Sequence, residues 1–97
     1  MSTEAHHAHA LIEAARAALD GVHRAALAAD AGGLRRGLAV AASNLQQAAQ
    51  AGLDGEASSA IEGARTIIAT ALADLDGGAL VEMEQQIEEA RKKLAMV

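Results

Sequence analysis

The chain contains no Cys, Pro, Phe, Tyr or Trp. Without cysteine there is no disulfide scaffold, no thiolate metal site and no thiol nucleophile. Without aromatic rings there is nothing on which unpaired bases could stack, which removes the usual single-strand platforms. It also removes the side chains that bury the most area each, so any core must be thin. Long apolar runs are missing too: no stretch approaches the ~18 residues that a membrane-spanning helix needs. The opening MSTEAHH is polar and acidic, unlike a secretory leader, so a cytoplasmic protein is expected. Positive charge is scarce. The formal net charge is −5, and the basic residues cluster only as Arg35-Arg36 and Arg91-Lys92-Lys93. Neither cluster makes a groove-tracking stripe, so neither nucleic acid nor an anionic membrane surface is expected as a partner.

What is present is alanine, 27 residues of the 97, against 23 Leu, Ile, Val and Met together. The length suits one domain, residues 1–97. Burying a Leu or Ile fully contributes roughly 1.5–3 kcal/mol. Ordering costs of similar total size oppose that gain. So few large apolar side chains imply either a small stability margin or help from self-association, and a homo-oligomer is expected.

Glycine and aspartate punctuate the chain at ADAGG (29–33), GLDGE (52–56) and LDGG (75–78). These signals predict four helices at about 3–29, 34–52, 56–75 and 79–96. Each segment carries apolar residues at alternating spacings of four and three. The seams are Ala8, Ile12, Ala15, Leu19, Val22, Ala26; Leu34, Leu38, Ala41, Leu45, Ala48; Ile61, Ala64, Ile68, Ala71, Leu75; and Leu80, Met83, Ile87, Ala90, Leu94, Val97. Short connections make consecutive helices antiparallel neighbours. The expected fold is therefore all-α, an antiparallel up-down four-helix bundle. Ala60, Ile67 and Leu72 widen the apolar face of the third helix, which is expected to sit most centrally. LDG at 19–21 resembles the turn signals, but Val22 and Ala26 carry the first seam past Gly21 without a phase slip, so one continuous helix is expected there.

A five-residue phrase occurs three times, as IEAAR (12–16), IEGAR (61–65) and IEEAR (87–91). Its Ile and Ala are seam positions. Its Glu and Arg stand three apart on the helix surface and can pair there. Glu88–Lys92 and Glu89–Lys93 are further expected pairs. Ser59 with Glu62 reads as a capping box, with Asp54 an equal candidate for the start of that helix. One hairpin also echoes in the other: Ile12 aligns with Ile61, 49 residues on, while Leu38 and Leu45 align with Leu80 and Ile87 at 42.

Candidate chemistry is sparse. His6, His9 and Glu13 share a helix face and could hold a divalent metal weakly; a solvated chain terminus explains them as well. Di-iron bundles need two Glu-x-x-His motifs, and Glu4 to His7 supplies the only one. Asp74 and Asp76 before Gly77 have the spacing of a calcium loop, but Leu72 and Met83 stand where its first Asp and bidentate Glu belong. Ser43, Ser58 and Ser59 lie in no nucleophile elbow, and the glycines at 32–37 follow no strand. No catalytic residue, metal or cofactor is expected.

The stretch VHRAALAADAGGLRRGLAVAASNLQQAAQAGLDG, about a third of the chain, resembles a histidine phosphotransfer domain. That resemblance implies a small helical bundle with an exposed helical histidine, here His23, as phosphoryl acceptor. The family places Lys and Gly three and four residues after its histidine; Ala26 and Leu27 stand there instead, so the cation that favours the phosphoryl group is missing. The ordinary reading of His23 is a half-buried structural residue beside the seam.

The second helix differs from the others. No acidic residue occurs from Ala31 to Leu53. Its outer face carries Ala39, Ser43, Gln46, Gln47 and Gln50, flanked by Val40 and Asn44. A neutral face of small residues can pack against another helix with little desolvation cost. The sequence thus predicts a non-catalytic bundle acting through protein–protein contact or self-association, of adaptor, chaperone or regulatory-subunit type. Its contact surface is placed at Val40, Ser43, Asn44, Gln47 and Gln50, with the fourth seam as second choice. The rival from another class is a phosphotransfer or metal-responsive regulator using His23 or His6 and His9.

Overall fold

The computed structural model describes residues 3–51 and 55–95. It contains α1 (Thr3–Leu27), α2 (Ala31–Gln50), α3 (Gly55–Gly77) and α4 (Leu80–Ala95). Each helix packs against two others: α1 against α2 and α4, α3 against α2 and α4. Among the described residues the backbones of the diagonal pairs do not come within 8 Å of each other, so the helices stand at the corners of a square and alternate in direction. The expected four-helix up-down bundle is the fold. Its extents are 43 × 18 × 18 Å.

The seams face the centre. Ile12, Ala15, Leu19 and Val22 of α1 are buried with Leu34, Leu38, Ala41, Leu45 and Ala48 of α2. From α3 and α4 come Ile61, Ala64, Ile68, Ala71, Met83, Ile87, Ala90 and Leu94. No polar side chain is buried among the described residues. Exceptions to the predicted seams fall at helix ends. Ala26 and Leu75 are only half-buried and Leu80 is exposed, while Val97 lies outside the described residues.

Several expectations change. The best-packed helix is α2, not α3, because it forms both the most extensive pair, with α1, and the closer of the two contacts between the hairpins. As expected, Gly21 does not interrupt α1. α2 begins three residues before the expected start. The left-handed residue that closes α1 is Ala29, with φ 55°, and Asp30 is already the N-cap of α2. Its carboxylate accepts from the Gly33 N–H at 3.0 Å, so Gly32 and Gly33 lie within the first helical turn. At the other turn α3 runs on through Gly77, and Gly78 (φ 81°) takes the left-handed position. Ser59 lies inside α3 and Glu62 pairs with Arg65, so the capping box is not formed; Asp54 lies outside the described residues.

The two turns are built alike. The N–H of Asp30 donates to the Ala25 carbonyl at 2.9 Å and that of Ala29 to Ala26 at 3.2 Å. The N–H of Ala79 donates to Asp74 at 2.8 Å and that of Gly78 to Leu75 at 3.2 Å. Both are the Schellman closure, which satisfies the last helical carbonyls. The equivalence extends through the core. Ile12, Leu19, Leu34, Leu38, Ala41 and Leu45 correspond to Ile61, Ile68, Met83, Ile87, Ala90 and Leu94, each 49 residues on. The offset of 42 for the second helix of each hairpin is therefore corrected: Met83 fills the place of Leu34, whereas Leu80 stays half exposed. The bundle is two hairpins with one core register.

Candidate interaction surface

With Leu34, Leu38, Ala41, Leu45 and Ala48 turned inward, the 100° step of a helix turns Arg36, Val40, Ser43, Gln47 and Gln50 outward. Ser43, Gln47 and Gln50 are exposed, Asn44 is half-buried on the flank, and Val40 is 50% exposed. Gln47 Nε2 donates to Ser43 Oγ at 3.4 Å. All five predicted contact residues thus lie on one side of α2.

The second hairpin supplies an internal comparison. At the shared register Ala39, Val40, Ser43 and Asn44 of α2 correspond to Glu88, Glu89, Lys92 and Lys93 of α4. The buried positions keep their character between the two helices. The outer positions change from four charges to none. Beside Val40, towards α1, runs a shallow groove lined by Ala18, Gly21, Ala25, Gly33 and Gly37, together with the charged Arg24, Asp30 and Arg36. The helices are close here because glycine permits it. A Cβ on Gly37 would lie 2.4 Å from Val22 Cγ2 and 3.3 Å from the Ala18 carbonyl oxygen. At the shared register Gln86 stands in the second hairpin where Gly37 stands in the first, and elsewhere in that hairpin the Lys93 side chain lies over Gly63, within 3.0–3.6 Å of where its Cβ would be.

Part of the charge elsewhere is paired. All three copies of the repeated phrase form their ion pair: Arg16–Glu13 at 3.0 Å, Arg65–Glu62 at 2.7 Å and Arg91–Glu88 at 2.6 Å. Arg91 also reaches Asp20 of α1 at 2.8 Å, and Arg35 pairs with Asp76 across the α2–α3 contact. Glu88 turns to Arg91, so the expected Glu88–Lys92 pair is not made, and no Glu89–Lys93 pair forms among the described residues. Arg36 has no ion-pair partner among them either.

The histidines are not brought together. His6, His7 and His9 are exposed, and the Glu13 carboxylate that would join His9 is held by Arg16. Among the described residues no three His, Asp or Glu side chains converge on a metal position. His23 is exposed rather than half-buried. Ala26, on the seam itself, is only half-buried, so cover thins at this end of α1. The fourth seam is no surface, since Met83, Ile87, Ala90 and Leu94 are all buried.

An apolar group that the sequence did not single out lies at one end of the bundle. Leu27 is 77%, Leu80 50% and Val81 65% exposed. The end of α1 and the start of α4 meet there by topology. Leu27 directly before a turn was the available signal; Val81 lies just off the seam. No helix among the described residues is long and apolar enough to cross a membrane.

Fold and surface together define an alanine-rich four-helix bundle of two like hairpins, one whose second helix carries both signs of charge and one whose second helix carries no acid. Comparison with protein-family models, with curated proteins and with solved structures finds no match.

Proposed function

We propose that this is a non-catalytic, cytoplasmic, single-domain bundle that acts through protein–protein contact, and that its contact surface is the outer side of α2, used for self-association. The observation that carries the reading is the replacement, at equivalent positions, of Glu88, Glu89, Lys92 and Lys93 in α4 by Ala39, Val40, Ser43 and Asn44 in α2. A solvent-facing helix gains solubility from charge; a helix that must be covered loses by it, because each buried charge needs a partner. The outer side of α2 runs along the long axis of the bundle, whose extents are 43 × 18 × 18 Å, whereas the apolar end at Leu27, Leu80 and Val81 is confined to the narrow section.

Light scattering at high micromolar concentration tests this. The wild type is expected to run as an oligomer, and the double variant Val40→Glu/Gln47→Glu as a monomer with unchanged helical content. A wild-type monomer overturns self-association. Undiminished association of the double variant removes α2 from the account.

The exposure of His23 favours a second reading, phosphotransfer. It predicts phosphohistidine after incubation with a small phosphodonor, lost in His23→Gln; no incorporation disposes of it.

A further inference from the structure

We infer that α2 pairs with α2 of a second copy in antiparallel orientation, about a two-fold axis at Val40. The inference rests on the proposed self-association and adds its geometry. Three observations fix the arrangement. Val40 is the one large apolar side chain exposed on α2, and it stands at the middle of the helix, Ala31–Gln50. An axis there overlaps the two helices along their whole length and sets each Val40 against its own copy. Second, the only charges on α2 are Arg35 and Arg36 near its start. Arg35 is engaged by Asp76 of its own chain. A parallel pairing would bring the two Arg36 side chains together with no acidic residue of α2 between them. The antiparallel pairing moves them ~12 Å apart along the axis, from ~1.5 Å per residue. That is beyond the ~8–10 Å screening length. It sets each Arg36 beside Asn44 and Gln47 of the other copy, whose amide oxygens accept its hydrogens. Third, the neighbours of Val40 at i−3 and i+3, Gly37 and Ser43, are small, as are Ala18 and Gly21 across the groove, while Arg36 and Asn44 stand at i−4 and i+4. The small residues leave room for the partner's backbone at close range.

α2 is also the one helix that carries no acidic residue: α1 exposes Glu13 and Asp20, α3 exposes Glu56, Glu62 and Asp76, and α4 exposes Glu82, Glu84, Glu88 and Glu89, with Arg24, Lys92 and Lys93 exposed among them.

The absence of cysteine makes the test direct, because each introduced thiol is the only one in the chain. A disulfide needs Cα atoms within ~7 Å. The expected pattern under mild oxidation of full-length protein is a covalent dimer from Val40→Cys. None is expected from Gln47→Cys, whose copies lie ~21 Å apart along the axis by helix rise. A mixture of Arg36→Cys and Asn44→Cys is expected to cross-link although neither does so alone. Equal cross-linking at every position overturns the antiparallel axis in favour of parallel helices or random collision. A dimer by light scattering without cross-linking at Val40→Cys overturns the axis and leaves self-association standing. A monomer by light scattering overturns both.

Discussion

Ala29 and Gly78 fill the same position in two like turns, and only one of them suits it. A left-handed backbone crowds a Cβ against the neighbouring carbonyl; glycine has none. Ala29→Gly is therefore expected to stabilise the protein by about 0.5–1 kcal/mol, and Gly78→Ala to destabilise it by about as much or more. Urea unfolding at fixed protein concentration measures both; a loss of stability in Ala29→Gly contradicts the strain. Gly21 and Gly37 give a second contrast, within helices. A Cβ on Gly21 meets nothing nearer than Arg24 Nη2 at 3.9 Å, whereas one on Gly37 meets Val22 Cγ2 at 2.4 Å. Gly21→Ala should gain about 0.5–1 kcal/mol from helix propensity. Gly37→Ala should cost about 1–3 kcal/mol by overpacking. The same substitution thus changes sign with position, and equal effects at the two sites would refute the close α1–α2 approach. Neither difference was legible in the sequence. ADAGG reads as one turn because its glycines draw the eye; the structure gives the left-handed slot to alanine and the cap to Asp30.

At the scale of the helix, the repeated phrase shows what spacing can tell. Ile and Ala at seam positions, with Glu and Arg three apart on the surface, predict both a buried pair and an ion pair, and all three copies form both. Spacing within one helix cannot show which helix lies alongside. That is why the Arg91–Asp20 link between α4 and α1 is absent from the spacing; spacing also offers Glu88 both Arg91 and Lys92 on its own helix, and the structure selects Arg91. The link predicts a hierarchy. Arg16 and Arg65 each make one exposed local pair, worth a few tenths of a kcal/mol. Arg91 adds a tie across the less extensive of the two contacts between hairpins. Arg91→Ala should cost more than Arg16→Ala or Arg65→Ala, still below about 1 kcal/mol because the partners are half exposed. The excess should shrink in 1 M salt, where screening acts within ~3 Å. An excess that survives salt means Arg91 acts by packing its stem rather than by charge. Helix ends were the least legible part. Leu80 has the right phase for the seam, yet at the first position of α4 its side chain stays half in water. The outer side of α2 was legible for the opposite reason: the absence of acid over twenty residues is a compositional signal that needs no tertiary geometry.

For the whole molecule the governing quantity is how little large apolar surface fills the core. Its largest fully buried side chains are Leu19, Leu38, Leu45, Ile61, Ile68, Met83, Leu94 and Val22, and alanine fills much of the remaining core. Each large side chain contributes roughly 1.5–3 kcal/mol, against an ordering cost of ~1–2 kcal/mol for every residue fixed. The margin left to a lone bundle is small, so whatever covers α2 contributes a large share of total stability. Mass action makes this measurable. If the folded chain associates and the unfolded chain does not, stability grows with the logarithm of protein concentration, by about 1.4 kcal/mol for each tenfold rise in the ratio of partner to Kd. For a domain of this size 1 kcal/mol shifts Tm by about 4–8 °C. Wild-type Tm should therefore climb several degrees for each tenfold increase in concentration above the dimer Kd. The Val40→Glu/Gln47→Glu variant should melt at one temperature throughout, equal to the low-concentration limit of the wild type. A wild-type Tm that stays constant from low to high micromolar concentration would mean that the alanine-rich core sustains the bundle alone, and the acid-free side of α2 would need an occupant other than its own copy.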